Sequence, residues 1–247
     1  MAAVSLLETA ALSRNFEGLR AVEQVDFRLP QGQIRAIIGP NGAGKTTLVS
    51  MISGRIRPSG GRITFKGRDI TRLPAWDRVM RGIVYIFQVT SIYRSLSCYE
   101  NVALAAQRRV MGSLLAHLRF GEAAIAARVE AALSRVGLAQ AAGREAGALP
   151  YGHQRLLEVA MGLALEPELL ILDEPTQGLA EEEINAFCAL IRAIAQDTTI
   201  LLIEHNMSVV LELAERITVM DKGTILAEGT PAEIERHAEV QRAYLGT

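Results

Sequence analysis

Gly39-Pro40-Asn41-Gly42-Ala43-Gly44-Lys45-Thr46 is a full match to the pattern G-x-x-x-x-G-K-[ST]. Each fixed residue has a physical task. The glycines let the backbone curl so that successive N–H groups point inward at phosphate oxygens. A helix beginning near Lys45 adds the positive end of its dipole. Lys45 is placed to reach the β- and γ-phosphates of a nucleotide, and the Thr46 hydroxyl to ligate Mg²⁺. Thr47 follows on the same turn and is counted with the loop. The flanks agree with a strand–loop–helix unit. Ile34 to Ile38 is a short apolar run fit for a buried strand, and Leu48, Val49 and Ile52 fit the buried side of a following helix. A chance glycine-rich turn is the alternative.

Composition narrows the class. The chain has 247 residues and a net charge of -1, enough for one large domain or two small ones and too balanced for a broad nucleic-acid footprint. Lysines stand only at positions 45, 66 and 222, with arginine used elsewhere. A slender point charge suits a phosphate loop better than a planar guanidinium. Hydrophobic residues make up 49% of the chain, yet polar or charged groups interrupt every long apolar run, so no membrane-spanning helix is expected. The N-terminus lacks a basic start and carries Glu8 in its apolar stretch, which makes a poor signal peptide. Cys98 and Cys188 lie far apart and in no metal-like spacing, and read as free thiols.

Further along, Leu6 to Leu12 and Val22 to Leu29 read as strands joined by a turn at Glu17-Gly18. Arg62 to Phe65 and Ile83 to Phe87 read as further strands, separated by turn signals at Pro58 to Gly61 and at Gly67. From about Glu100 to Leu165 the pattern is helical, with a clear helix over Glu122 to Val136 and Gly137 as its cap. Then strands over Leu169 to Leu172, Thr199 to Ile203 and Ile217 to Met220 alternate with a helix over Glu181 to Gln196. Such alternation predicts an α/β fold with a parallel sheet. Thr230-Pro231-Ala232-Glu233 is a capped helix start.

The apolar run Leu169 to Leu172 ends in Asp173-Glu174. Ligands of open α/β sheets bind at the carboxyl ends of strands. There Asp173 can hold Mg²⁺ through water, and Glu174 can orient or deprotonate an attacking water. Helix-capping acids are the alternative for an isolated pair.

With these motifs in this order, the chain resembles the ATP-binding subunits of ABC transporters over nearly its whole length. The resemblance implies a P-loop NTPase cassette with a mixed core sheet, a small antiparallel β subdomain and an inserted α-helical subdomain. On that reading residues 1–247 form a single ATPase domain. Segments 1–88 and 166–247 make the core with its β subdomain, and about 89–165 make the helical insertion.

The resemblance also assigns residues. Phe16 stands 29 positions before Lys45, where the family places an aromatic that stacks on adenine; a core phenylalanine in a strand hairpin is the alternative. Gln88 matches a glutamine that touches Mg²⁺ and senses the membrane partner, and His205 a histidine that contacts the γ-phosphate. Catalysis would rest on Glu174, His205, Gln88 and Lys45, and metal binding on Thr46, Gln88 and Asp173. The signature segment reads Leu149-Pro150-Tyr151-Gly152-His153-Gln154, where the family begins Leu-Ser-Gly-Gly-Gln and binds ATP held by the opposite subunit. Pro150 replaces the serine and removes a hydroxyl and an N–H. Pro150, Gly152 and His153 remain the candidate nucleotide contacts there, although Pro150 also reads as a plain first-turn proline. Ala180 stands where the family often has a carboxylate.

Tyr151-Gly152, Ile203 to Met207, Ala227 to Ile234 and the ending Ala243-Tyr244-Leu245-Gly246 resemble LivG-type cassettes of branched-chain amino-acid importers. The interval from Gln88 to Leu149 leaves room for an extra segment around Met111 to Phe120, and the ending leaves none for a regulatory domain. The implied cofactors are ATP and Mg²⁺. The implied partners are a second cassette, favouring a heterodimer over a homodimer, two membrane permease subunits, indirectly a periplasmic or extracellular solute-binding protein, and no nucleic acid. The implied location is the cytoplasmic face of the inner membrane, as a peripheral subunit. An exporter cassette, a soluble ABC-type ATPase and a nucleotide-binding scaffold without turnover are the rivals.

Overall fold

The structure is a computed structural model describing residues 5–110 and 114–245, with only the backbone given at 110, 114–120 and 243–245. The expected extra segment around Met111 to Phe120 therefore lies outside the residues whose side chains are described. No described helix is long and apolar enough to cross a membrane.

The chain opens with an antiparallel hairpin of β1 (Ser5–Phe16) and β2 (Leu19–Pro30). Its two-residue tip has Glu17 at φ 41° and Gly18 at φ 97°. Two successive positive φ values give a turn whose twist matches that of the flanking strands. β3 (Ile34–Ile38) is buried at every position and leads into α1 (Lys45–Ile52). β4 (Gly60–Phe65) pairs with β1, and β5 (Arg68–Asp69) extends that small antiparallel sheet. After α2 (Ala75–Met80) and β6 (Ile83–Ile86) comes the helical stretch of α3 (Cys98–Val110), α4 (Leu114–Arg135) and α5 (Tyr151–Leu163). Then β7 (Leu169–Asp173), α6 (Glu181–Ile194), β8 (Thr199–Ile203), α7 (Met207–Leu213), β9 (Arg216–Asp221) and β10 (Thr224–Gly229) follow, with α8 (Pro231–Glu235) and α9 (Ala238–Leu245) closing the chain.

The larger sheet has the order β10-β9-β3-β8-β7-β6. Only the β9–β10 pair is antiparallel, so the sheet is mixed. β3, β7 and β8 are buried on both faces, which is why they read as predominantly apolar runs. Arg35 interrupts β3 and is buried there, donating to Glu228 at 2.8 Å and to the Thr218 hydroxyl at 3.0 Å. One apolar cluster joins the sheet to α3–α6, and a second joins its other face to α1 and the hairpin sheet.

Three elements differ from the sequence expectation. β10 is only half-buried, and its apolar run is limited to Ile225-Leu226-Ala227 between Thr224 and Glu228, though Lys222 (φ 46°) and Gly223 form a tight turn that announces a hairpin. α7 is short, and its only local signal is Asn206, whose side chain accepts from Ser208 N–H. The helix expected from Glu122 begins earlier, at Leu114.

Candidate nucleotide site

Five strands of the large sheet, β9-β3-β8-β7-β6, run parallel and side by side, so their carboxyl ends form one rim. Along it stand the loop after β3 with Gly39 to Thr46, the loop after β8 with His205, the loop after β7 with Glu174, and Gln88 after β6. Topology alone thus gathers residues that are scattered over more than 160 positions of sequence.

The loop after β3 needs its glycines for space as well as for φ. A Cβ on Gly39 would lie 2.2 Å from Met220 O, and one on Gly44 2.4 Å from Ala21 O. Gly44 caps α1 at φ 96°, and the first helical residue is Lys45. Lys45 is buried, and Nζ donates to the Gly39 carbonyl at 2.6 Å and the Pro40 carbonyl at 3.0 Å. Burial lowers its pKa, an effect opposed by the nearby carboxylates of Glu174 and Asp173. Asn41 and Thr46 face solvent.

Phe16, Asn41 to Thr47, Gln88 and Glu174 line one cleft of about 690 Å³. Phe16 is 36% exposed, which corrects the core alternative for this residue. The Arg14 guanidinium covers one ring face at 4.3 Å from the centroid. Phe16→Ala is expected to weaken ATP and GTP binding together, by roughly 1–3 kcal/mol if base–aromatic stacking follows its value on single-stranded nucleic acid. Calorimetry on the folded variant checks this, and unchanged affinity for both nucleotides removes Phe16 from the site.

Glu174 sits at φ 45°, a strained conformation for a residue with a side chain. Its Oε2 accepts from Gln88 Nε2 at 2.7 Å and lies 3.7 Å from His205 Nδ1. Asp173 is buried, and its Oδ2 accepts from the Tyr85 hydroxyl at 2.5 Å. Burial raises the pKa of Asp173, while the Tyr85 hydrogen bond works in the opposite direction. Tyr85 stands in the alternating run Val84-Tyr85-Ile86-Phe87, but nothing local to it signals a contact with Asp173.

The signature segment does not line this cleft. Pro150 is the N-cap of α5, one position before the first turn, which corrects the first-turn reading. It is exposed, as is His153. The Tyr151 hydroxyl donates to the Gln177 carbonyl at 3.3 Å, and Gln177 Oε1 accepts from Gln88 Nε2 at 3.1 Å. Gly152 is backed by a carboxylate: a Cβ there would lie 2.3 Å from Glu183 Oε1. Glu183 caps α6 by accepting from Ala180 N–H at 2.9 Å.

Sequence reading missed Arg155, which is 1% exposed on α5. It pairs with buried Glu158 at 2.7 Å and donates to the carbonyls of Phe87, Asp173 and Pro175 at 2.7, 3.2 and 3.2 Å. One guanidinium therefore ties α5 to the segments that carry Gln88 and Glu174. The available signal was a charged i,i+3 pair on the apolar face of a helix, which is costly unless it is fully bonded.

A family model described as ABC transporter matches residues 22–177, and one described as branched-chain amino acid ATP-binding cassette transporter matches residues 224–247. The chain belongs to the ABC transporter family as an ATP-binding cassette, and it is an ATPase of that family. It is 40% identical to the high-affinity branched-chain amino acid transport ATP-binding protein LivG of Salmonella typhimurium, over 98% of both chains. Against BraF of Pseudomonas aeruginosa, described by the same phrase, it is 37% identical over 98% of both chains. The fold superposes on a nucleotide-free ATP-binding cassette from an ABC transporter with a TM-score of 0.85 at 27% identity, covering 98% of this chain and 100% of that one. A cassette in its ADP conformation gives 0.86 at 27% identity, covering 98% and 99%.

Proposed function

We propose that the chain is the ATP-hydrolysing subunit of an importer for branched-chain amino acids or closely related small solutes. The observation that carries this is the full-length likeness to LivG and BraF, continued through the C-terminal segment 224–247. The subunit is placed peripherally, at the cytoplasmic face of the membrane. Reconstitution with two permease subunits and a solute-binding protein tests the reading. ATP-dependent uptake of leucine, isoleucine or valine into proteoliposomes is expected; export instead of uptake, or ATPase activity indifferent to all membrane partners, overturns it.

In this reading ATP lies with its adenine on Phe16 and its phosphates under the N–H groups of Gly39 to Thr46, and Lys45 turns from Gly39 and Pro40 to the β- and γ-phosphates. Thr46, Gln88 and Asp173, the last through water, offer only oxygen ligands, a donor set suited to Mg²⁺. Among the described residues no cluster of three or more His, Cys, Asp or Glu could hold a metal. Mg²⁺ would neutralise charge on the transferring phosphoryl group. Glu174 accepts the proton of the attacking water, Gln88 holds the Glu174 carboxylate in place, and His205 donates toward the γ-phosphate. Residues about 89–165 act as a helical subdomain that carries the signature, and exposed Val89 and Tyr93 beside Gln88 offer apolar surface to a permease.

Two cassettes close around two nucleotides, each phosphate loop meeting the other subunit's signature, and here the partner is a different cassette. This chain's own site keeps Lys45, Gln88, Glu174 and His205. Its signature gives the partner's nucleotide no serine hydroxyl, and Glu183 stands behind Gly152 with Glu181 and Glu182 beside it in the first turn of α6. Those charges oppose a phosphate. The lost hydrogen bond to a charged group costs about 1.5–3 kcal/mol of closure at the partner's site. Pro150→Ser is therefore expected to leave steady-state ATPase of the assembled transporter equal or higher. A collapse of activity in Pro150→Ser means that Pro150 is a working part of the signature and that the sites are not unequal in this way.

A further inference from the structure

Glu204 is 1% exposed and lies directly before His205. Its carboxylate accepts from four donors. Oε1 takes Thr176 N–H at 3.1 Å and the Thr176 hydroxyl, and Oε2 takes the N–H groups of His205 at 3.1 Å and Asn206 at 3.2 Å. Each oxygen holds one loop. The first loop follows β7 and carries Glu174; the second follows β8 and carries His205.

The two strands are parallel neighbours paired up to Asp173 and Ile203. The last backbone bond between them runs from Glu174 N–H to Ile203 O at 2.8 Å. Beyond it the chain turns at Glu174, and the loops have no further ladder bond to each other. The Glu204 carboxylate takes over as the link, one side chain doing what a pair of backbone groups does in the sheet. A carboxylate is the acceptor-only group with enough lone pairs for three N–H donors and a hydroxyl at once.

Packing does not hold the His205 side chain, whereas Glu174 is largely buried and takes a hydrogen bond from Gln88. The His205 side chain is 59% exposed, and that of Glu174 19%. Their 3.7 Å separation depends on where the two loops start. We infer that Glu204 is a positioning residue that staples the Thr176 loop to the His205 loop and so sets Glu174 and His205 relative to each other. This rests on the catalytic reading of those two residues.

The test uses Glu204→Gln, Thr176→Val, Thr176→Ser and the double variant Glu204→Gln/Thr176→Val. Glutamine keeps the size but turns one acceptor into a donor facing N–H groups. Valine keeps the shape of threonine without the hydroxyl, and serine keeps the hydroxyl. In the assembled transporter, Glu204→Gln and Thr176→Val should each lower kcat by about 10-fold or more, since small misplacements of reacting groups carry large rate penalties. The KM for ATP should stay within about 3-fold, because a placement defect falls on the transition state rather than on ground-state binding. Thr176→Ser should restore turnover, and the double variant should be no slower than Glu204→Gln alone. In the purified nucleotide-free chain, the imidazole NMR signals of His205, assigned with His205→Gln, should shift or broaden in Glu204→Gln and Thr176→Val.

Additive losses, a KM effect without a kcat effect, or Thr176→Ser as slow as Thr176→Val overturn the staple. Unchanged His205 signals in both variants overturn it as well. Undiminished turnover in Glu174→Gln overturns only the catalytic reading beneath it, since the imidazole signals report the staple without turnover. Should Glu204→Gln fail to fold, the Thr176 pair carries the test alone.

Discussion

Glu174→Gln is expected to lower ATP turnover by about 10²-fold or more while nucleotide affinity stays near that of the native chain. The carboxylate directly follows β7 on the rim that carries the phosphate loop, and the substitution keeps its size while removing its ability to take a proton. Gln88 Nε2, 2.7 Å from Glu174 Oε2, fixes the side chain from one side, and His205 stands on the other. The backbone at φ 45° is unfavourable for any side chain, so the strain is the same in both variants and cancels in the comparison. Single-turnover hydrolysis and equilibrium binding on the same preparation separate the two effects. In the assembled transporter the matching substitution in the partner cassette should cost less, since the partner's nucleotide faces Pro150. Turnover close to native in Glu174→Gln removes the general-base assignment, and equal losses in both subunits remove the asymmetry.

Arg155→Met should cost about 3–5 kcal/mol of stability, the range for breaking a buried ion pair by removing one partner. For a chain of this size that is roughly 6–20 °C in Tm. Methionine fills much of the volume but leaves the carbonyls of Phe87, Asp173 and Pro175 without their donor, and Glu158 without its cation. Burial already pushes the Glu158 carboxyl above the usual carboxylate range in spite of Arg155 and of the Ser91 N–H it accepts. A raised carboxyl pKa means that the folded state favours the proton. This contribution to stability is present in full at low pH and is lost as pH rises through the folded value. Without Arg155 the folded value moves higher still, so the deficit of Arg155→Met should shrink on acidification and grow toward neutrality. Adding Glu158→Leu should recover part of the loss. Thermal unfolding across pH checks all three points, and a pH-independent loss below about 1 kcal/mol contradicts the role assigned to the pair.

The sequence was most readable where function and local geometry coincide. The phosphate loop needs specific residues at successive positions, so Gly39 to Thr46 declare themselves, and Gly44 as helix cap follows from the same pattern. Buried parallel strands are mostly apolar, which makes Ile34 to Ile38 (despite Arg35), Leu169 to Leu172 and Thr199 to Ile203 visible. Gln88 and His205 have no local signature and were placed by their order after strands. What escaped reading depends on partners distant in sequence. β10 is an edge strand with one half-buried face, so its pattern is weak. Arg155 and Glu204 look like ordinary helix and loop charges until the fold surrounds each with acceptors or donors from other loops. Tyr85 reads as one more aromatic in a strand, and only the parallel pairing of β6 with β7 brings its hydroxyl to Asp173.

Lys45 without nucleotide is held by two carbonyls of its own loop. An incoming anion can take the third ammonium donor or exchange with one of these carbonyls, and in the second case its net gain is the difference. Inorganic phosphate or sulfate brings charge alone and gains little from that exchange. A nucleoside triphosphate brings, on the same molecule, a base for the Phe16 end of the cleft and a chain of phosphates for the loop.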